Sequence, residues 1–130
     1  MSDKKVNVGI IGLGFGKEFI PIYQKHPNGG KVAICTRRQD VLDEIGNQFG
    51  IDNDFRYTDY HEMVADNRLD AIHVVTPVMD HYPMVMEALN NGRHTACTIP
   101  MATTIQQCKE IVEATQKSGK VYMMMETALY

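Results

Sequence analysis

Three glycines, Gly12, Gly14 and Gly16, separated by Leu13 and Phe15, are the residues of this chain whose type and spacing best suit chemistry. They follow a short β-branched apolar run, Val6 to Ile11, and precede a helix-compatible stretch from Lys17 to Lys25. At a strand-to-helix turn, glycine lets the backbone bend sharply and lets a phosphate come closer than any Cβ permits. The helix that follows offers free N–H groups and the positive end of its dipole to that phosphate. Gly12 fits the tight turn and Gly14 the close approach. A dinucleotide-binding pattern would place its third glycine at position 17, where this chain has Lys17. Gly16 then takes part of the helix-packing role, with an altered helix entry. The competing reading is a tight turn that holds no ligand.

The second apolar run ends in Thr36-Arg37-Arg38. A site specific for NAD usually carries an acid here to hold both ribose hydroxyls. Thr36 does not repel a 2′-phosphate, and Arg37 and Arg38 can pair with one. NADP is therefore expected to be favoured over NAD. The alternative is a solvated basic turn with Arg37 stacked beside the adenine.

Strand and helix signals alternate along the whole chain. Val6 to Ile11 reads as a buried parallel strand. The helix after it puts Phe19, Ile22 and Tyr23 on one face, with Pro21 in its first turns. Asn28-Gly-Gly reads as a turn, and Lys31 to Thr36 as the second strand. Asp40 reads as an N-cap for a helix with Val41, Leu42, Ile45 and Phe49 inside, stopped by Gly50. Phe55 to Tyr57 is a short strand, and Asp59 caps a small helix to about Asp66. Ala71 to Val75 is the fourth strand. From Asp80, the set Tyr82, Val85, Met86 and Leu89 marks an amphipathic helix closed by Asn91-Gly92. Thr95 to Cys97 is the fifth strand. Thr104 and Gln107 form a capping box over a helix whose inner face is Ile105, Cys108, Ile111 and Val112. Gly119 ends that helix, and Val121 to Met125 is a sixth strand, read as core.

Such alternation implies right-handed crossovers and one α/β domain over residues 1–130. The expected fold is a Rossmann-type, doubly wound, mostly parallel sheet of about six strands with helices on both faces. A ligand would lie at the carboxyl ends of the strands, near the switch point between the first and the fourth.

The bulk composition fits this. The chain has 130 residues, 44% of them hydrophobic, and a net charge of −3. That balance offers no electrostatic reason to bind nucleic acid or an anionic membrane. Met1-Ser-Asp-Lys-Lys leads directly into an apolar strand and does not resemble a signal peptide. Cys35, Cys97 and Cys108 are sparse and form no CxxC, which suggests reduced thiols and a cytoplasmic setting. The five histidines show no metal-ligand spacing, so no metal is expected. Homo-oligomerisation is left open.

Two later stretches make the pattern specific: Thr76-Pro-Val-Met-Asp-His81, and Ala88-Leu-Asn-Asn-Gly92-Arg-His94. With the glycine turn, they resemble the N-terminal, NAD(P)-binding domain of the Gfo/Idh/MocA oxidoreductases from about Val6 to Tyr130. The resemblance implies hydride transfer to or from a sugar- or polyol-like substrate. It also implies that Thr76 and Pro77 lie beside the nicotinamide half of the cofactor, and that a C-terminal substrate domain is absent from this chain. After the fifth strand the family typically carries Glu-Lys-Pro, whose lysine assists proton transfer. This chain has Thr98-Ile99-Pro100, and Ile99 has neither charge nor proton to give. His81 and Glu126 are the remaining catalytic candidates, His81 being equally readable as a helix-surface histidine. Ile99 also supports a rival reading, a non-catalytic nucleotide-sensing or assembly protein. On either reading, the isolated chain is expected to have no dehydrogenase activity.

Overall fold

A computed structural model describes residues 4–126. It shows one six-stranded parallel sheet in the order β3-β2-β1-β4-β5-β6. The strands are β1 (Val6–Ile11), β2 (Gly29–Cys35), β3 (Arg56–Tyr57), β4 (Ala71–Val74), β5 (His94–Thr98) and β6 (Tyr122–Met125). The helices between them are α1 (Ile20–Lys25), α2 (Gln39–Phe49), α3 (Tyr60–Ala65), α4 (His81–Asn90) and α5 (Ile105–Ser118). The order reverses between β1 and β4, as the strand–helix alternation predicts.

Right-handed crossovers decide which face each helix covers. α1 and α2 carry the chain leftwards and share one face, where the Gln24 amide donates to the Phe49 carbonyl at 2.9 Å. α3, α4 and α5 touch one another in a row on the opposite face. Between the layers lie fully buried residues such as Ile10, Ile34, Met63, Ile72, Leu89 and Ile111. Burying one such side chain contributes roughly 1.5–3 kcal/mol.

Helix ends follow local chemistry. Thr104 accepts from the Gln107 N–H at 3.1 Å, and Asp59 accepts from the His61 N–H at 2.9 Å. Gly50 and Gly119 sit in the left-handed region, at φ 66° and 69°, and stop α2 and α5. Among the described residues, no helix is long and apolar enough to cross a membrane.

Several expectations need correction. Gly29 and Gly30 belong to β2, not to a turn. The N-cap of α2 is Arg38; Asp40 lies inside the first turn and pairs with the Arg38 guanidinium at 2.7 Å. In α5 the inward positions are Ile111 and Ala114, whereas Ile105 and Val112 are 77% and 49% exposed. A helical stripe counted from apolar residues alone is rotated from the buried face, which includes small Ala114. Met123 and Met124, read as core, are 53% and 52% exposed because β6 is an edge strand.

Candidate cofactor site

The β1–α1 connection is shaped by contacts that only glycine tolerates. Gly12 has φ +94°, and a Cβ there would lie 2.3 Å from the Val75 carbonyl oxygen. Its N–H donates to the Cys35 carbonyl at 3.1 Å, tying the turn to the end of β2. A Cβ on Gly16 would meet Ile10 Cγ2 at 2.9 Å. Gly16 is thus the glycine that lets the helical segment close on the strand. The segment enters as a 3-10 turn, Gly16–Phe19, before becoming α1. This is the altered entry expected from Lys17 in place of a third glycine.

Gly14 differs from both. No heavy atom lies within 4 Å of where its Cβ would be. Its Cα faces a cavity of about 620 Å³ at the carboxyl ends of β1, β2 and β4. Among the described residues, neither the Gly14 N–H nor the Phe15 N–H has a backbone hydrogen-bond partner. Open space beside a glycine, with free N–H groups at a helix entry, fits a pyrophosphate.

The cavity collects residues from three strand ends. Gly12 and Gly14 come from the first, Thr36 and Arg37 from the second, Thr76 and Pro77 from the fourth. Arg38 does not line it, since its side chain is 72% exposed and paired with Asp40. The spacing could not separate Arg37 from Arg38; the direction in which α2 starts does. The β3–α3 connection adds Thr58, Asp59 and Tyr60, which sequence reasoning assigned only to a helix cap. Cys35 lines the wall, and burial, with the charges of Asp59 and Glu62, pushes its thiol up to about 12. It is no nucleophile at neutral pH.

The catalytic candidates fall elsewhere. His81 is 1% exposed, so it is not a helix-surface residue. Its Nδ1 lies 2.7 Å from the Pro100 carbonyl and its Nε2 2.8 Å from the Thr76 carbonyl. Both ring nitrogens thus lie against backbone carbonyls, and the ring is not among the residues that line the cofactor cavity. Glu126 lines a separate apolar cleft with Phe15, Ile22 and Met123. Ile99 is 42% exposed, its N–H donates to the Met125 carbonyl at 3.2 Å, and it lines neither that cleft nor the cofactor cavity.

The comparison with known families settles the class. Residues 6–126 match the model described as the oxidoreductase family with an NAD-binding Rossmann fold, GFO_IDH_MocA. The chain belongs to the Gfo/Idh/MocA family. A curated relative, a glycosyl hydrolase family 109 protein of Shewanella baltica (strain OS195), is 32% identical over 96% of the chain, which spans 29% of that protein. A solved NAD binding oxidoreductase from Klebsiella pneumoniae superposes with TM-score 0.83 at 26% identity, over 93% of this chain and 34% of its own. Myo-inositol 2-dehydrogenase from Lactobacillus plantarum gives TM-score 0.84 at 25% identity, over 94% of this chain and 36% of its own. This member of the family is therefore a domain of the nicotinamide-dinucleotide-binding type. It spans about a third of such proteins.

Proposed function

We propose that the cavity at Gly14 holds the cofactor, with the pyrophosphate on the Gly12–Gly16 turn and the nicotinamide half against Thr76 and Pro77. The observation that carries this is the open space at Gly14 beside the Gly14 and Phe15 N–H groups, which have no backbone partner among the described residues. Thr36 and Arg37 would meet the adenosine ribose, and Arg37 supplies the charge for a 2′-phosphate. NADP is therefore preferred over NAD, with Asp59 on the same wall tempering the preference. When bound, the cofactor supplies or accepts a hydride at its nicotinamide ring.

In the whole protein we place this domain in redox chemistry on a sugar- or polyol-like ring, in keeping with the myo-inositol dehydrogenase and glycosyl hydrolase relatives. Ile99 gives no acid or base, so in this reading the proton is handled by a group other than the side chain at position 99. A second reading, nucleotide sensing without catalysis, draws on the same Ile99. Restoring a lysine separates the two. A whole protein inert on sugars and polyols that gains activity with Ile99→Lys is a disabled enzyme; one active as it stands is not.

Binding itself is tested calorimetrically. Gly14→Val puts a branched side chain into the approach from a position where a Cβ meets no protein atom, so the variant should fold and lose more than about tenfold in NADPH affinity, about 1.4 kcal/mol. Arg37→Ala should remove the preference for NADPH over NADH, and the preference should weaken with salt. Unchanged affinity in folded Gly14→Val would sink the site.

A further inference from the structure

We propose that His81 is a positioning residue, a doubly protonated latch that locks the Thr76-Pro77 loop to the Ile99-Pro100 loop. This rests on the cofactor reading above for its consequence, though not for its geometry. The first loop lines the cofactor cavity. The second runs from Ile99, which is hydrogen-bonded to β6, through Pro100 towards α5. His81 is the first residue of α4, is buried, and places one ring nitrogen on a carbonyl of each loop, at 2.8 Å and 2.7 Å.

Carbonyl oxygens only accept hydrogen bonds, so each contact requires an N–H. A neutral imidazole has one. In either neutral tautomer a bare nitrogen would face a carbonyl oxygen, lone pair against lone pair, at bonding distance in a site closed to water. Turning the ring over does not help, because both oxygens would then face carbon. Two N–H groups satisfy both oxygens, and charge-assisted hydrogen bonds are roughly twice as strong as neutral ones. The positive end of α4 and the burial of a charge work against the proton. The two backbone dipoles work for it.

The charged groups on the packed elements do not supplant these partners. On α4 itself, Glu87 is held by His61 of α3 at 2.6 Å. On α5, Glu110 accepts from Tyr82 at 2.6 Å. Residues 99–104 contain no ionisable side chain. On β4, His73 is turned to Tyr23 and Phe19, and on β5, His94 accepts from the Val121 N–H. Asp80, beside the ring in the chain, lines the cofactor cavity. Losing a proton therefore releases one loop from the other, and the nicotinamide side of the cavity loses its fixed shape.

The experiment records ring 15N resonances of the labelled full chain across about pH 5 to 8, the range in which histidine titrates, with NADPH affinity at each pH. Both His81 nitrogens should be protonated at the acid end, and affinity should fall about tenfold as the ring is neutralised. That fall should be absent in His81→Phe, which keeps the volume and removes both donors. A bare His81 nitrogen at every pH where the chain is folded overturns the latch. So does the same affinity profile in His81→Phe. If that variant does not fold, the ring nitrogens of the unsubstituted chain decide alone. If no dinucleotide binds at any pH, the cofactor reading falls and the ring nitrogens still decide the latch.

Discussion

The two halves of the sheet are both built from parallel strands but are buried differently. β1 and β2 are buried without a break over their last four residues, Gly9-Ile10-Ile11 with Val8 and Val32 to Cys35. β5 alternates, with Thr95 and Cys97 buried and His94, Ala96 and Thr98 half-buried. β6 has no fully buried residue. Continuous burial means a helix layer on both faces; alternation means a layer on one. α1 and α2 cover the first half on the face where, among the described residues, no helix covers β5 and β6. The glycine turn therefore stands on a rigid, doubly covered base, while the neighbouring cleft at Phe15 and Met123 has an apolar, open floor.

The largest effect that sharpens this contrast is Ile34→Ala. Ile34 is fully buried in β2, and the truncation should cost about 2–5 kcal/mol in urea unfolding. A cost under about 1 kcal/mol would break the comparison, because the first half would then be no better packed than the second.

The seam between the halves gives an effect of intermediate size. His73 on β4 is 1% exposed under Phe19 and Tyr23, whereas its register partner on β5, Ala96, is only half-buried. Burial pushes the His73 imidazole down to about 4 from the usual 6.5. A folded-state value below the unfolded one means that the unfolded chain binds the extra proton. Stability is then fully present above about pH 6.5 and falls as pH drops towards 4, by on the order of 2–3 kcal/mol. Urea midpoints at the two ends of this window should differ more for the natural chain than for His73→Leu. Parallel profiles would remove the claim.

The smallest effect belongs to the open half. Met123→Ser should change stability by no more than about 0.5 kcal/mol, since the side chain is half exposed. A loss comparable to Ile34→Ala would mean that the β6 face is covered after all.

Much of the site was legible because its constraints are local. Gly12 must be glycine since its φ is positive, and the turn that demands this lies within a few residues of the strand announcing it. The caps at Asp59, Thr104, Gly50 and Gly119 were readable for the same reason: each satisfies groups in its own helix turn. Thr36 could be placed on the cavity wall because it follows the second strand, and strand ends in an open parallel sheet meet at the switch point; Thr76 and Pro77 were placed there by the family resemblance. Asp59 and Tyr60 were not placed in the cavity wall, because nothing near them says where the short β3 will pair.

The sequence alone thus determined the alternation of strands and helices, the glycine turn and the resemblance to a nicotinamide-binding family. These follow from periodicity and from backbone needs that a few neighbouring residues express. Only the tertiary structure decided which apolar strand became an edge, which of Arg37 and Arg38 reached the cavity, and that His81 is buried between two loops. Those outcomes depend on contacts between segments far apart in the chain. His81 meets Pro100 across 19 residues, and no pattern within either segment encodes that meeting.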